Sequence, residues 1–181
     1  MEVNDCFLMR GEKITDPMTV YCITDINEGK MWMKRLYVGD DMVQGWPTSS
    51  TSAESIPEEA IPLPPDSWKW GKRQMLSFLD EIYAYLKENV TERKSKFDVG
   101  EHYMGHGGIH TVKKIGSEKI KHRLFRLDED DISPIWTGVV PLDDIEDRYV
   151  VSQDVYNEVK HRYNELLIRL RERFCECNNV L

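Results

Sequence analysis

Three histidines, His102, His106 and His110, recur at four-residue spacing in "EHYMGHGGIHTV" (Glu101–Val112). On a helix that spacing would align three imidazoles on one face, a donor set suited to zinc. The same stretch carries Gly105, Gly107 and Gly108, and each glycine costs a helix about 1 kcal/mol relative to alanine. A strand–turn–strand is therefore the expectation, with the adjacent glycines at the turn. Alternate side chains of a strand point to opposite faces, so an intervening turn keeps the three histidines from converging. Spacing places no carboxylate or cysteine beside them, and no metal and no cofactor are expected.

In "DPMTVYCITDINEGK", Asp16 precedes Glu28 and Lys30 by the length of a strand. The arrangement loosely resembles the acid plus Glu-x-Lys of restriction-type nucleases, in which two carboxylates hold magnesium and the lysine orients a water. The resemblance covers a handful of residues, and Asn27 and Gly29 mark a hairpin turn where that family has a strand. "GHGG" lacks the Lys-Ser/Thr of a phosphate loop, and no nucleophile is paired with a base by its position. A metal-dependent hydrolase or nuclease, built on the histidines or on Asp16, Glu28 and Lys30, is the enzymatic alternative to a non-enzymatic reading.

Aromatic and acidic residues carry that reading. Trp46, Trp68 and Trp136 fall in or beside connections, where large aromatics seal a small core or anchor a partner. Eight carboxylates lie between Asp128 and Asp147 with no lysine or arginine among them. Asp128, Glu129, Asp130, Asp131, Asp143 and Asp144 are thus candidates, with the three tryptophans, for contact with a basic protein such as a nucleic-acid-binding one. The expectation is an intracellular, non-enzymatic protein-binding or inhibitory module, of a kind associated with phages and mobile elements. A further alternative is a small barrel for single-stranded nucleic acid, with Lys34, Arg35, Lys119, Lys121 and Arg123 on phosphates and Trp32, Tyr37 and Phe125 as stacking platforms.

The chain as a whole bounds these readings. Its 181 residues are 40% apolar, enough for a core, and carry a formal charge of −8, which disfavours non-specific attraction to phosphates and anionic membranes. No run approaches the roughly 20 apolar residues that span a bilayer, and "MEVNDCFLMRGE" lacks the form of a secretory signal. A cytoplasmic location without membrane contact is expected. Cys6, Cys22, Cys175 and Cys177 form no CxxC pair and read as free thiols.

The elements that must position these residues come twice. "VNDCFLMRG" falls on "VGEHYMGHG", "VYCITDI" on "IHTVKKI", "RLYVGDD" on "RLFRLDE", and the long segment from Ile56 on that from Val140. Each half reads as short strands, a proline-rich or acidic connection, and one amphipathic helix, the mark of internal duplication. The expected fold is α+β, two tandem copies of a small antiparallel sheet or partly open barrel followed by a helix, over residues 1–90 and 97–176. The helices begin at Ser67 and Ser152, with stripes of Met75, Leu79, Ile82 and Leu86, and of Val155, Val159, Tyr163, Leu166, Leu170 and Phe174. The second stripe outruns a small sheet, so it pairs with the first helix or, through Val159, Leu166, Leu170 and Phe174, with a second copy of the chain.

Overall fold

A computed structural model of the chain describes residues 2–10, 17–28, 30–52, 60–145 and 148–176, with the side chains of 10 and 46–52 left undescribed. The fold is α+β: antiparallel strands β1 to β11 and two long helices, α1 (Ser67–Asn89) and α2 (Gln153–Glu176). It divides into two compact units, Met1–Leu76 with Glu165–Leu181, and Ser77–Asn164. Each helix thus gives one half to each unit.

In the first unit β1 (Cys6–Arg10), β2 (Met18–Asn27), β3 (Lys30–Val38) and β4 (Val43–Ser52) form a meander, and β5 (Ile61–Leu63) returns to pair with β1. In the second, β7 (His102–Gly105), β8 (Gly108–Ile115), β9 (Lys119–Asp128) and β10 (Asp131–Pro141) do the same, and β11 (Arg148–Val151) returns to β7. The second unit adds β6 (Arg93–Lys94) against β11. Strand order is therefore β5-β1-β2-β3-β4 in one unit and β6-β11-β7-β8-β9-β10 in the other.

Two of these strands correct the sequence reading. "GWPTSSTS" and "DISPIWTGVVP" are not connections but β4 and β10. Their prolines argued against strands, since proline cannot donate to a ladder. Both prolines fall where the pairing register shifts, between Trp46 and Ser49 on β4 and between Ser133 and Trp136 on β10; a bulge leaves a residue unpaired and tolerates the missing N–H. Trp46 and Trp136 are consequently strand residues, opposite Arg35 and Leu124.

The helices form where their apolar stripes find cover. Ser152 caps α2, its Oγ accepting the Val155 N–H and its carbonyl the Tyr156 N–H. At α1 it is the Asp66 carbonyl that accepts the Trp70 N–H, so Ser67 is already helical. In the first unit Trp70 meets Phe174 edge-on at 5.7 Å, and Gly71 lies so close to Leu36 that a methyl would collide with it and press on Phe174. This accounts for a glycine inside a helix. In the second unit Phe78 and Phe125 surround Tyr163, whose hydroxyl donates to the Ile132 carbonyl at 2.9 Å. Val159, Leu166, Leu170 and Phe174 are all buried within the single chain. That burial favours the pairing within the chain over the alternative of a second copy through the same stripe. Among the described residues no helix is long and apolar enough to cross a membrane.

Candidate functional site

The three histidines go to three places. Val112 N–H bonds to the Glu101 carbonyl, and β7 then pairs with β8 around a turn at His106 and Gly107. Alternation puts His102 on the helix side of the sheet and His110 on the other face. His102 is buried against Tyr156, its Nε2 donating to Gln153 Oε1 at 3.1 Å and its Nδ1 accepting from the Thr111 hydroxyl at 2.8 Å. Burial lowers its pKa. His110 stacks on Tyr103, meets His122 edge-on, and donates from Nε2 to the His106 carbonyl. Burial, first of all, pushes it down to about 4, and lowers His122 as well. These are neutral, enclosed rings that pack a sheet. No group of three possible metal-binding side chains occurs among the described residues.

Glu28 occupies the β2–β3 turn with φ +49°, and Lys30 begins β3. Asp16, the remaining member of the nuclease-like set, lies outside the described residues.

The acidic and tryptophan candidates separate into buried and exposed groups. Asp131 is only 8% exposed and accepts from Trp136 Nε1 at 3.1 Å and Arg126 at 3.5 Å. It holds a hairpin together, with Arg126 lying over the Trp136 ring. Trp68 is half-buried, with the Lys34 ammonium 4.9 Å from its ring. The Trp46 side chain is outside the described set. Asp128, Glu129 and Asp130 are exposed at the β9–β10 turn, and Asp143 and Asp144 are exposed on the 3-10 turn Leu142–Ile145. No single surface gathers all the residues chosen from sequence.

Cations do gather. Along β9, Lys119, Lys121 and Arg123 alternate with the buried Ile120 and His122, so the three project from one face and all are exposed. Lys114 of β8 stands directly opposite Lys121, and Val139 of β10 stands opposite it on the other side. Lys113 is exposed beside them. Two residues of strand advance about 7 Å, a repeat comparable to that of phosphates along an extended single strand. None of the four lysines makes an ion pair among the described residues, whereas Arg123 Nε donates to the Pro134 carbonyl. Lys113 and Lys114 escaped the sequence reading; the one-residue bulge between Val112 and Lys114 hides their phase.

The first unit carries a weaker version of the row, with Trp32 and Asp25 where the second has Lys121 and Lys114, and with Lys34 half-buried over Trp68. Register fixes the correspondence, since Asp25 faces Trp32 just after the β2 bulge as Lys114 faces Lys121 after the β8 bulge. Lys30, Trp32 and Lys34 on β3 therefore match Lys119, Lys121 and Arg123. Trp32 is 40% exposed. Phe125, named beside it as a stacking platform, is 1% exposed between Tyr156 and Tyr163 and offers no face to a ligand. Its alternation with Lys121 and Arg123 looked like interleaving, but the strand passes under α2 there. Tyr37 is half-buried.

Compared with known proteins, the chain matches no family model, no curated protein and no solved structure.

Proposed function

We propose that the protein binds single-stranded nucleic acid along the exposed faces of its β2–β3 and β8–β9 hairpins. The observation that carries this is the alternating row Lys119, Lys121 and Arg123, flanked by Lys114, with its counterpart Lys30, Trp32 and Lys34. Cations track a phosphate backbone without reading sequence, and an exposed indole stacks on any base. The formal charge of −8 opposes binding only weakly at this face, since charges beyond about 8 Å are largely screened at physiological salt. Fluorescence anisotropy of a labelled mixed-sequence oligonucleotide tests the reading. Binding that weakens at least tenfold when Lys114 and Lys121 are both changed to glutamate supports it; absence of binding at low salt, or equal binding by the variant, overturns it.

The exposed acidic turn Asp128–Asp130 favours a second reading, contact with a basic protein partner. In that case an immobilised lysine-rich polypeptide retains the protein, and changing Asp128, Glu129 and Asp130 to the amides releases it.

The two units read as copies of one ancestral unit. Both begin with the same turn: Asp5 N–H donates to Glu2 O and Glu101 N–H to Asp98 O, while the Asp5 and Glu101 carboxylates accept the Glu2 and Asp98 N–H groups at 2.6 and 2.7 Å. A left-handed residue precedes each acid, Asn4 at φ +78° and Gly100 at φ +97°.

A further inference from the structure

The first unit places two thiols face to face. Cys6 of β1 and Cys22 of β2 are direct cross-strand partners. Their neighbours settle the kind of pair: the Ile23 N–H donates to the Asp5 carbonyl at 2.9 Å, so Asp5 and Ile23 are a hydrogen-bonded pair, and alternation along an antiparallel ladder makes Cys6 and Cys22 a non-hydrogen-bonded one. Such pairs are the closer kind, with Cα atoms about 4.5 Å apart, inside the range of about 4.4–6.8 Å that a disulfide requires. Both side chains are buried on the helix side of the sheet. Both Sγ atoms reach the same acceptor, the Asn4 carbonyl, at 3.8 and 3.9 Å. The Cys6 thiol also donates to the Pro65 carbonyl at 3.2 Å, immediately before α1.

We infer that Cys6 and Cys22 are a redox pair that closes to a cross-strand disulfide on exchange with a small disulfide such as oxidised glutathione. One protein thiolate attacks the oxidant, forming a mixed disulfide and expelling one small thiolate. The other then attacks the protein sulfur of that mixed disulfide; the Cys6–Cys22 bond forms and the second small thiolate leaves. Two protein thiols are oxidised, one small disulfide is reduced to two thiols, and the two protons pass to the departing thiolates. Burial pushes the Cys6 thiol up to about 12, so exchange is slow in the closed structure and depends on local opening where β5 covers β1, Leu63 standing opposite Cys6. Closure also removes the S–H donor from Pro65, so oxidation is felt at the start of α1. In the second unit His102 and Thr111 hold the equivalent pair of positions and bond to each other without any such chemistry.

The test uses the full chain carrying Cys175→Ser and Cys177→Ser, folded and incubated with oxidised glutathione, then alkylated in denaturant and digested. The expected result is a peptide linking Cys6 to Cys22, an intact mass lower by two hydrogens, and reversal by dithiothreitol. With Cys22→Ser added, the linked peptide disappears and Cys6 is found free or as a glutathione adduct. Finding both thiols free or only as separate adducts in the folded chain overturns the inference, as does a linkage that forms only after denaturation.

Discussion

Opposite one another on the first two strands, the first unit carries Cys6 with Cys22 and Phe7 with Tyr21, and the second carries His102 with Thr111 and Tyr103 with His110. The rings stack alike, at 5.2 and 4.9 Å. What differs is the chemistry buried beneath the same backbone. The first unit hides thiols and hydrocarbon, which need no polar partner; the second hides imidazoles, which must stay neutral and which titrate as the medium acidifies. At the exposed end the contrast reverses, with a lysine pair, Lys114 and Lys121, in the second unit where the first has Asp25 and Trp32. One backbone plan thus supports an acid-sensitive, cation-bearing sheet and a redox-sensitive, aromatic-bearing one.

The comparison breaks first at Gly108. Its φ is +144°, and a Cβ would run into the Phe125 carbonyl, whereas the matching position on β2 is Thr19, opposite Tyr37. Gly108→Ala should lower unfolding free energy by about 3 kcal/mol in urea denaturation, and Thr19→Gly by about 1 kcal/mol. Equal losses would mean that the backbone at Gly108 does not require glycine.

Acid comes next. His110 titrates at about 4 in the folded chain and near its ordinary 6.5 unfolded, so between those values the unfolded state binds a proton that the native state does not. Stability is full above about pH 6.5 and falls as pH drops through the window, by at most about 1.4 kcal/mol per pH unit for each such histidine. His102 and His122 add in the same direction. His110→Phe, which replaces the imidazole by a ring that does not titrate, should flatten the fall in melting temperature between pH 7 and pH 5; an unchanged slope would contradict the burial argument.

The smallest effect belongs to the opening turns. Gly100→Ala should cost about 1 kcal/mol, because alanine resists the left-handed region, while Asn4→Gly should change stability by less than about 0.5 kcal/mol. Paired denaturation curves decide it, and a costly Asn4→Gly would show that its side chain has a role beyond the turn.

Much of the α+β fold was legible in the residues. Helical stripes gave α1 and α2, and turn glycines gave the β7–β8 hairpin. The β4 and β10 strands were not legible, because Pro47 and Pro134 sit in bulges that only a paired neighbour reveals. The shared "RL" of "RLYVGDD" and "RLFRLDE" drew the third block one residue out of phase, matching Arg35 with Arg123 where register matches Lys34. In a strand one residue reverses the face, so the common row of cations stayed hidden. Asp131 looked like its exposed neighbours, since nothing local says that Trp136 and Arg126 enclose it.

The salt dependence of oligonucleotide binding tests the central claim most directly. For single strands each phosphate neutralised contributes about 0.7 to the slope of log K against log salt. About five cations on the β8–β9 hairpin should therefore give a slope of about −3.5, measured by anisotropy across a salt series. Changing Lys114 and Lys121 to glutamine should make it shallower by about 1.4 while the melting temperature holds. A wild-type protein that shows no binding at low salt, or a variant with the parent's slope, would contradict the account.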